Sequence, residues 1–167
     1  MTVKQIITDL IILTKPCEDF DFNNPIMDPI ELSKDLADTT IANKGLGLAA
    51  NQIGLQTRVL TIMTNPVIVM FNPTIVDFSS DKNALEEGCL SFPGVIVKVN
   101  RSSSIRIRYK QPNSEVVTQK FSGMTAREIQ KLVDYLNGKL FYNRVHPYHR
   151  EKSLKKKTAG KRNVFRL

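Results

Sequence analysis

Two short segments carry residue types that chemistry needs. Residues 45–54 read GLGLAANQIG. Glycines one residue apart let the backbone approach a ligand closely, Ala49 and Ala50 leave space beside them, and Gln52 offers a donor and an acceptor in one amide. Residues 86–94 read EEGCLSFPG and hold Cys89 between Gly88 and Leu90. A thiolate is both a nucleophile and a soft metal ligand. Taken singly, the first segment reads as readily as a tight helix-to-strand turn, and a lone cysteine is most often a small core residue. His146 and His149 stand three apart in HPYH, a spacing that chelates on a helix. Pro147 between them and the basic residues around them oppose a bound cation. Cys17 is too far along the chain from Cys89 to form a C-x-x-C pair.

These segments need elements to hold them. The chain has 167 residues and 18.9 kDa, the size of one domain with its own core. Asp28 suits the cap, Pro29 the first position and Glu31 the third of a helix from about Pro29 to Asn43, which Gly45 follows. Residues 2–14 are apolar and fit helix and strand equally. Beyond Gly45, β-branched runs (TRVLTIM, VIVMF, TIVDF, GVIVKV, SSIRIRY, EVVTQKF) predict about six strands. A second helix over about 125–137 follows, with a Thr125–Glu128 capping box, a stripe of Ile129, Leu132, Val133 and Leu136, and Gly138 as terminator. Helix, many antiparallel strands and helix make an α+β fold.

In this order and spacing the two segments resemble the peptide deformylases, whose first motif is G-x-G-x-A-A-x-Q and whose second is E-G-C-L-S. Asn72-Pro73, Phe92-Pro93 and LNGKLFYNR at 136–144 extend the likeness over most of the body. The resemblance implies antiparallel or mixed sheets around a helix that carries the family's third motif. It implies removal of the formyl group from nascent N-formyl-methionyl peptides by one divalent metal, iron or zinc. The metal would be held by the cysteine and by two histidines of an H-E-x-x-H helix whose glutamate is general acid and base. Cys89 matches the cysteine. Gln52 and the Leu90 backbone N–H would hydrogen-bond the formyl or carbonyl oxygen, Gly45 and Gly47 would line the peptide groove, and Glu128 would lie near the methionine pocket, although its capping box is the simpler role.

The third motif, expected as Q-H-E-x-D-H-L-x-G, reads QKLVDYLNG from Gln130 to Gly138. Lys131 and Tyr135 stand at the histidine positions and Leu132 at that of the glutamate. Four residues apart, 131 and 135 share one helical face, as a metal pair requires. A lysine carries a proton on its only lone pair, a tyrosine must lose a proton from a phenol of pKa about 10, and leucine moves no proton at all. Without the metal, the pKa of the attacking water returns from about 7 toward about 15.7. Loss of the base costs a further factor of about 100 to 10,000. Cys89 is then the only retained ligand, no cofactor is expected, and the Lys131 ammonium would take the place of the metal's charge beside Cys89. Glu87 is expected to pair internally with Arg101.

Charge divides the chain at residue 144. From Arg144 to Leu167 there are nine basic residues and one acid, and the body before it is neutral. The reading is a single deformylase-like domain over 1–144 and a basic tail or helix over 145–167. Arg150, Lys152, Lys155, Lys156, Lys157, Lys161, Arg162 and Arg166 are the candidates for RNA phosphates. Family deformylases often end in a basic helix that contacts the ribosome, which implies ribosomal RNA as the tail's partner. No apolar run reaches the roughly 18 residues of a membrane span, and a cytoplasmic protein with no membrane partner is expected. Three functions are in play. The first is a catalytically impaired pseudo-deformylase that binds the ribosome, formylated nascent chains or both. The others are an active deformylase with a rearranged metal site or Cys89 chemistry, and an RNA-binding protein that uses the fold as a scaffold.

Overall fold

The computed structural model describes residues 3–163, with side chains to Lys156. The N-terminal stretch has no regular secondary structure up to Asp9, whose side chain caps a short helix α1 (Leu10–Thr14) by accepting from the Ile11 N–H. Helix α2 (Pro29–Ala42) starts where the sequence places it, with the Asp28 carboxylate accepting from the N–H groups of Ile30 and Glu31. Strand β1 (Gly47–Ala49) leads into a 3-10 turn (Ala50–Ile53) that Gly54 closes at φ 88. The strands β2 (Val59–Ile62), β3 (Ile68–Phe78), β4 (Lys82–Glu87), β5 (Val97–Ser102), β6 (Ser104–Lys110) and β7 (Val116–Ser122) follow, then α3 (Gly123–Leu136) and α4 (Pro147–Asn163). The first sheet has the order β1-β2-β3-β6-β7, and β4-β5 form a separate antiparallel ribbon. The α+β class stands.

Three expectations change. VIVMF and TIVDF are one strand, β3, because Asn72 (φ 50) and Pro73 sit at a register shift between Phe71 and Thr74 that absorbs the proline. The Asn72 amide then clamps Phe20, accepting from its N–H at 2.7 Å and donating to its carbonyl at 2.9 Å. Strand β4 was not expected from KNALEE, a run with weak strand propensity and five of six residues exposed. It forms by pairing with β5. Helix α3 begins at Gly123 (φ 61) directly out of β7, with Ser122 at its cap and no side-chain capping bond. Thr125 lies inside the helix, so the Thr125–Glu128 box does not form.

Helix α3 positions the site. It packs against β1, β2, β6 and β7 on one side and β5 on the other, and every residue from Ala126 to Leu136 is buried. A helix enclosed all round must answer its polar residues internally. Arg127, Glu128, Gln130, Lys131 and Asp134 all find partners there. Gly138 ends the helix at φ 70, and a Cβ there would lie 2.3 Å from the Thr14 carbonyl oxygen. Helix α4 docks near its start. Ser153 Oγ donates to the Ile96 carbonyl at 2.6 Å and accepts from its N–H at 3.2 Å.

Candidate active site

The two glycine- and cysteine-bearing segments meet at a cleft of about 370 Å³ over α3. β1 and its 3-10 turn bring Gln52 there, and the turn after β4 brings Cys89. The Gln52 carbonyl oxygen accepts from the Ala49 N–H at 3.0 Å, which aims its amide nitrogen at Cys89 Sγ (3.2 Å) and Ser91 Oγ (3.1 Å). The Ser91 N–H also points to the Cys89 sulfur, at 3.4 Å. The Leu90 N–H makes no hydrogen bond among the described residues, and Leu90 lines the cleft. Gly45 fits because a Cβ would come 3.1 Å from Leu90 Cδ1. Gly45, Gly47, Gln52, Cys89, Leu90, Glu128, Lys131 and Leu132 all line the same cleft, and exposed Leu46 and Met124 form an apolar rim.

Lys131 makes its hydrogen bond and ion pair next to Cys89, on Gly88 and Glu128. Its Nζ donates to the Gly88 carbonyl at 2.9 Å and pairs with Glu128 at 2.8 Å, one turn back on the same buried face. Glu128 thus answers Lys131 instead of capping the helix. Leu132 is 1% exposed and packs where a Cβ on Gly47 would lie, 2.7 Å from its Cδ1. Tyr135 is fully buried, its hydroxyl sealed without a hydrogen bond of ordinary geometry and with the Cys89 sulfur beside it. Burial first, and that sulfur second, push its phenol far above the ordinary value. Its carbonyl accepts from Asn51 Nδ2 at 2.8 Å and ties α3 to the 3-10 turn.

This donor set does not fit a tetrahedral divalent metal held by one thiolate and two imidazoles. The Lys131 nitrogen is an ion-paired ammonium, Tyr135 is held as a phenol, and Leu132 has no lone pair. His149 lines a different cleft, against β5 and α4, and His146 Nδ1 accepts from the Tyr148 N–H at 3.3 Å. Among the described residues no three His, Cys, Asp or Glu side chains converge to hold a metal ion.

Beneath the cleft runs an ion-pair chain of which the sequence showed one link. Arg101 grips Glu87 at 2.6 and 2.9 Å, as expected, and reaches Asp134 at 2.8 Å. Arg127 adds a 2.6 Å bond to Glu87, and Arg144 closes on Asp134. All but Arg144 are buried. The opposite charges around Arg101 raise its pKa further against the cost of burial. Sequence reading also missed Ser91, although it stands in the second motif two residues after Cys89.

Residues 3–151 match the polypeptide deformylase family. The chain belongs to that family. It is 39% identical over 128 residues to a peptide deformylase of Pseudothermotoga lettingae, covering 77% of this chain and 74% of that one. A peptide deformylase of Chlorobium phaeobacteroides is 49% identical over 70 residues, and there the chain spans only 37% of the relative's length. The Met-Ala-Ser-bound class I type b peptide deformylase of Acinetobacter baumannii superposes with a TM-score of 0.81 at 30% identity, covering 86% of this chain and all of that one. The deformylase fold accounts for both motifs: its sheets bring the Gln52 turn and the Cys89 turn over α3.

On α4, Lys152 and Lys156 line the cleft against β5, Lys155 pairs loosely with Glu151 at 3.8 Å, and Arg150 donates to Asn143. Lys157, Lys161 and Arg162 lie on α4 with side chains outside the described residues, and Arg166 lies outside them altogether. Among the described residues no helix is long and apolar enough to cross a membrane.

Proposed function

We propose that this deformylase-fold protein binds N-formyl-methionyl nascent peptides in the cleft without hydrolysing them, and acts in the cytoplasm beside the ribosome. The observation that carries the reading is the Lys131–Glu128 pair, an internally neutral ammonium–carboxylate unit on the helix face where the family places its metal and base. The binding half supports peptide recognition. Two glycines, the Leu90 N–H, unpaired among the described residues, and the apolar rim of Leu46 and Met124 suit an extended peptide with an apolar first side chain. The Acinetobacter relative, solved with Met-Ala-Ser, holds a peptide of this kind. Gln52 would reach the formyl oxygen by releasing Cys89 or Ser91. The basic residues of α4 support ribosomal RNA as the second partner.

Titration with formyl-Met-Ala-Ser, alongside formate release and metal content of protein grown with iron or zinc, tests the reading. Binding without formate or stoichiometric metal is expected. The Lys131→His/Leu132→Glu/Tyr135→His variant is expected to gain both metal and turnover. Chelator-sensitive formate release by the native protein overturns the reading in favour of a rearranged metal site. Turnover that a thiol reagent abolishes and a chelator spares overturns it in favour of Cys89.

A further inference from the structure

On the side of α3 away from the cleft, a wider groove of about 790 Å³ runs between β3, the β4-β5 ribbon and the loop after α3. Its walls carry Arg58, Lys82, Lys139 and Arg144. Among the described residues, the one acidic side chain lining it, Asp134, is buried and already held by Arg101 and Arg144. Arg58 is held in place by Asn137 at 2.7 Å and by the Pro73 carbonyl at 3.0 Å, and it pairs with exposed Asp19 at 3.5 Å. Lys82 and Lys139 are exposed and have no ion-pair partner among the described residues. Like charges gathered in one concave surface raise the local concentration of a polyanion.

A second, independent feature narrows the polyanion. Phe78, at the end of β3, lines the same groove with 55% of its surface exposed, an aromatic face with no aromatic neighbour of its own among the described residues. Cations interleaved with an exposed aromatic ring are the surface on which a single strand lays its phosphates and stacks a base. The exposed hydroxyl of Ser80 and amide of Asn100, also on the groove wall, can meet a ribose 2′-hydroxyl. Asn100 also lines the neighbouring cleft under α4, beside Lys152 and Lys156, so the two basic surfaces adjoin.

We propose that the groove behind α3 binds single-stranded RNA, with phosphates on Lys82 and Lys139 beside the ion-paired Arg58 and Arg144, a base stacked on Phe78, and the strand continuing past Asn100 onto α4. The assignment is separate from the cleft reading and adds a body surface to the tail.

Fluorescence anisotropy of the full chain with a short fluorescein-labelled oligouridine, read across a salt series, tests it. Lys82→Gln/Lys139→Gln is expected to lower the slope of log affinity against log salt by about 1.4, two contacts at about 0.7 each for a single strand. Phe78→Ala is expected to weaken binding roughly tenfold at fixed salt with the slope unchanged, and Phe78→Trp to restore it. These side chains are exposed, and circular dichroism checks that the variants fold. The proposal is overturned if the groove variants bind like the native chain while Lys152→Gln/Lys156→Gln alone loses binding. It is also overturned if oligodeoxythymidine binds equally well, or if poly-glutamate displaces the RNA at equal charge. Formyl-peptide titration of the same groove variants should be unchanged, so failure of the groove and failure of the cleft are told apart.

Discussion

Gly47 shows how little room the cleft floor has. A Cβ there would lie 2.7 Å from both Leu132 Cδ1 and the Thr61 carbonyl oxygen. Gly47→Ala is expected to cost about 1–3 kcal/mol in urea unfolding. Adding Leu132→Ala should recover only part, because the Thr61 oxygen is backbone. Buried thiol and phenol groups bear on the alkaline limit, Cys17 and Tyr135 among them. Burial pushes the Cys17 thiol from 9.0 up to about 11, against the pull of Arg58 and Lys15, and it raises the Tyr135 phenol as well. Below pH 9 both states of the chain keep the Cys17 proton. Between pH 9 and 11 the unfolded chain loses it and the native chain does not, so stability falls as pH rises, by about 1.4 kcal/mol per unit per group. Tyr135 adds to the slope above about pH 10. Urea midpoints across this range should drop steeply in the native protein and more gently in Cys17→Ala/Tyr135→Phe; equal slopes would contradict the assignment. At this scale Gln52, Cys89 and the glycines were legible because each is rare in kind and fixed in spacing. The role of Glu128 was not, since a capping box and an i, i+3 ion pair leave similar marks in a sequence.

Helix α3 is the element on which cleft and ion-pair chain both depend. From its place at the end of β4, Glu87 pairs with two buried arginines, of which Arg101 is also held by Asp134 and Arg127 has no other carboxylate among the described residues. Glu87→Ala leaves Arg101 and Arg127 facing each other without it, and a loss of about 3–5 kcal/mol is expected from denaturant unfolding. Glu87→Gln keeps the shape and some hydrogen bonds, so it should lose less. The apolar stripe of α3 was readable at helical period, and so was its Gly138 stop. Its beginning was not, because it grows straight out of β7 with no side-chain cap. β4 was invisible for a related reason. Its exposed, polar residues have no strand preference of their own, and the partner strand β5 supplies the order.

For the whole molecule, the expected gain of metal and turnover by Lys131→His/Leu132→Glu/Tyr135→His is the prediction that joins fold to function. It requires that α3 already hold residues 131 and 135 beside Cys89, which the Lys131–Gly88 bond and the place of Tyr135 by the sulfur provide. The sequence by itself determined the α+β class, the family, the two segments that line the cleft and the place where the positive charge begins. Those signals are local: spacing, caps, periodicity and composition. Only the tertiary structure decided that Gln52 meets Cys89, that Lys131 pairs with Glu128 and donates to the Gly88 carbonyl, and that Arg58, Phe78, Lys82 and Lys139 share one groove. Residues tens of positions apart come together through sheet pairing and helix burial, and no local pattern records which of them will touch.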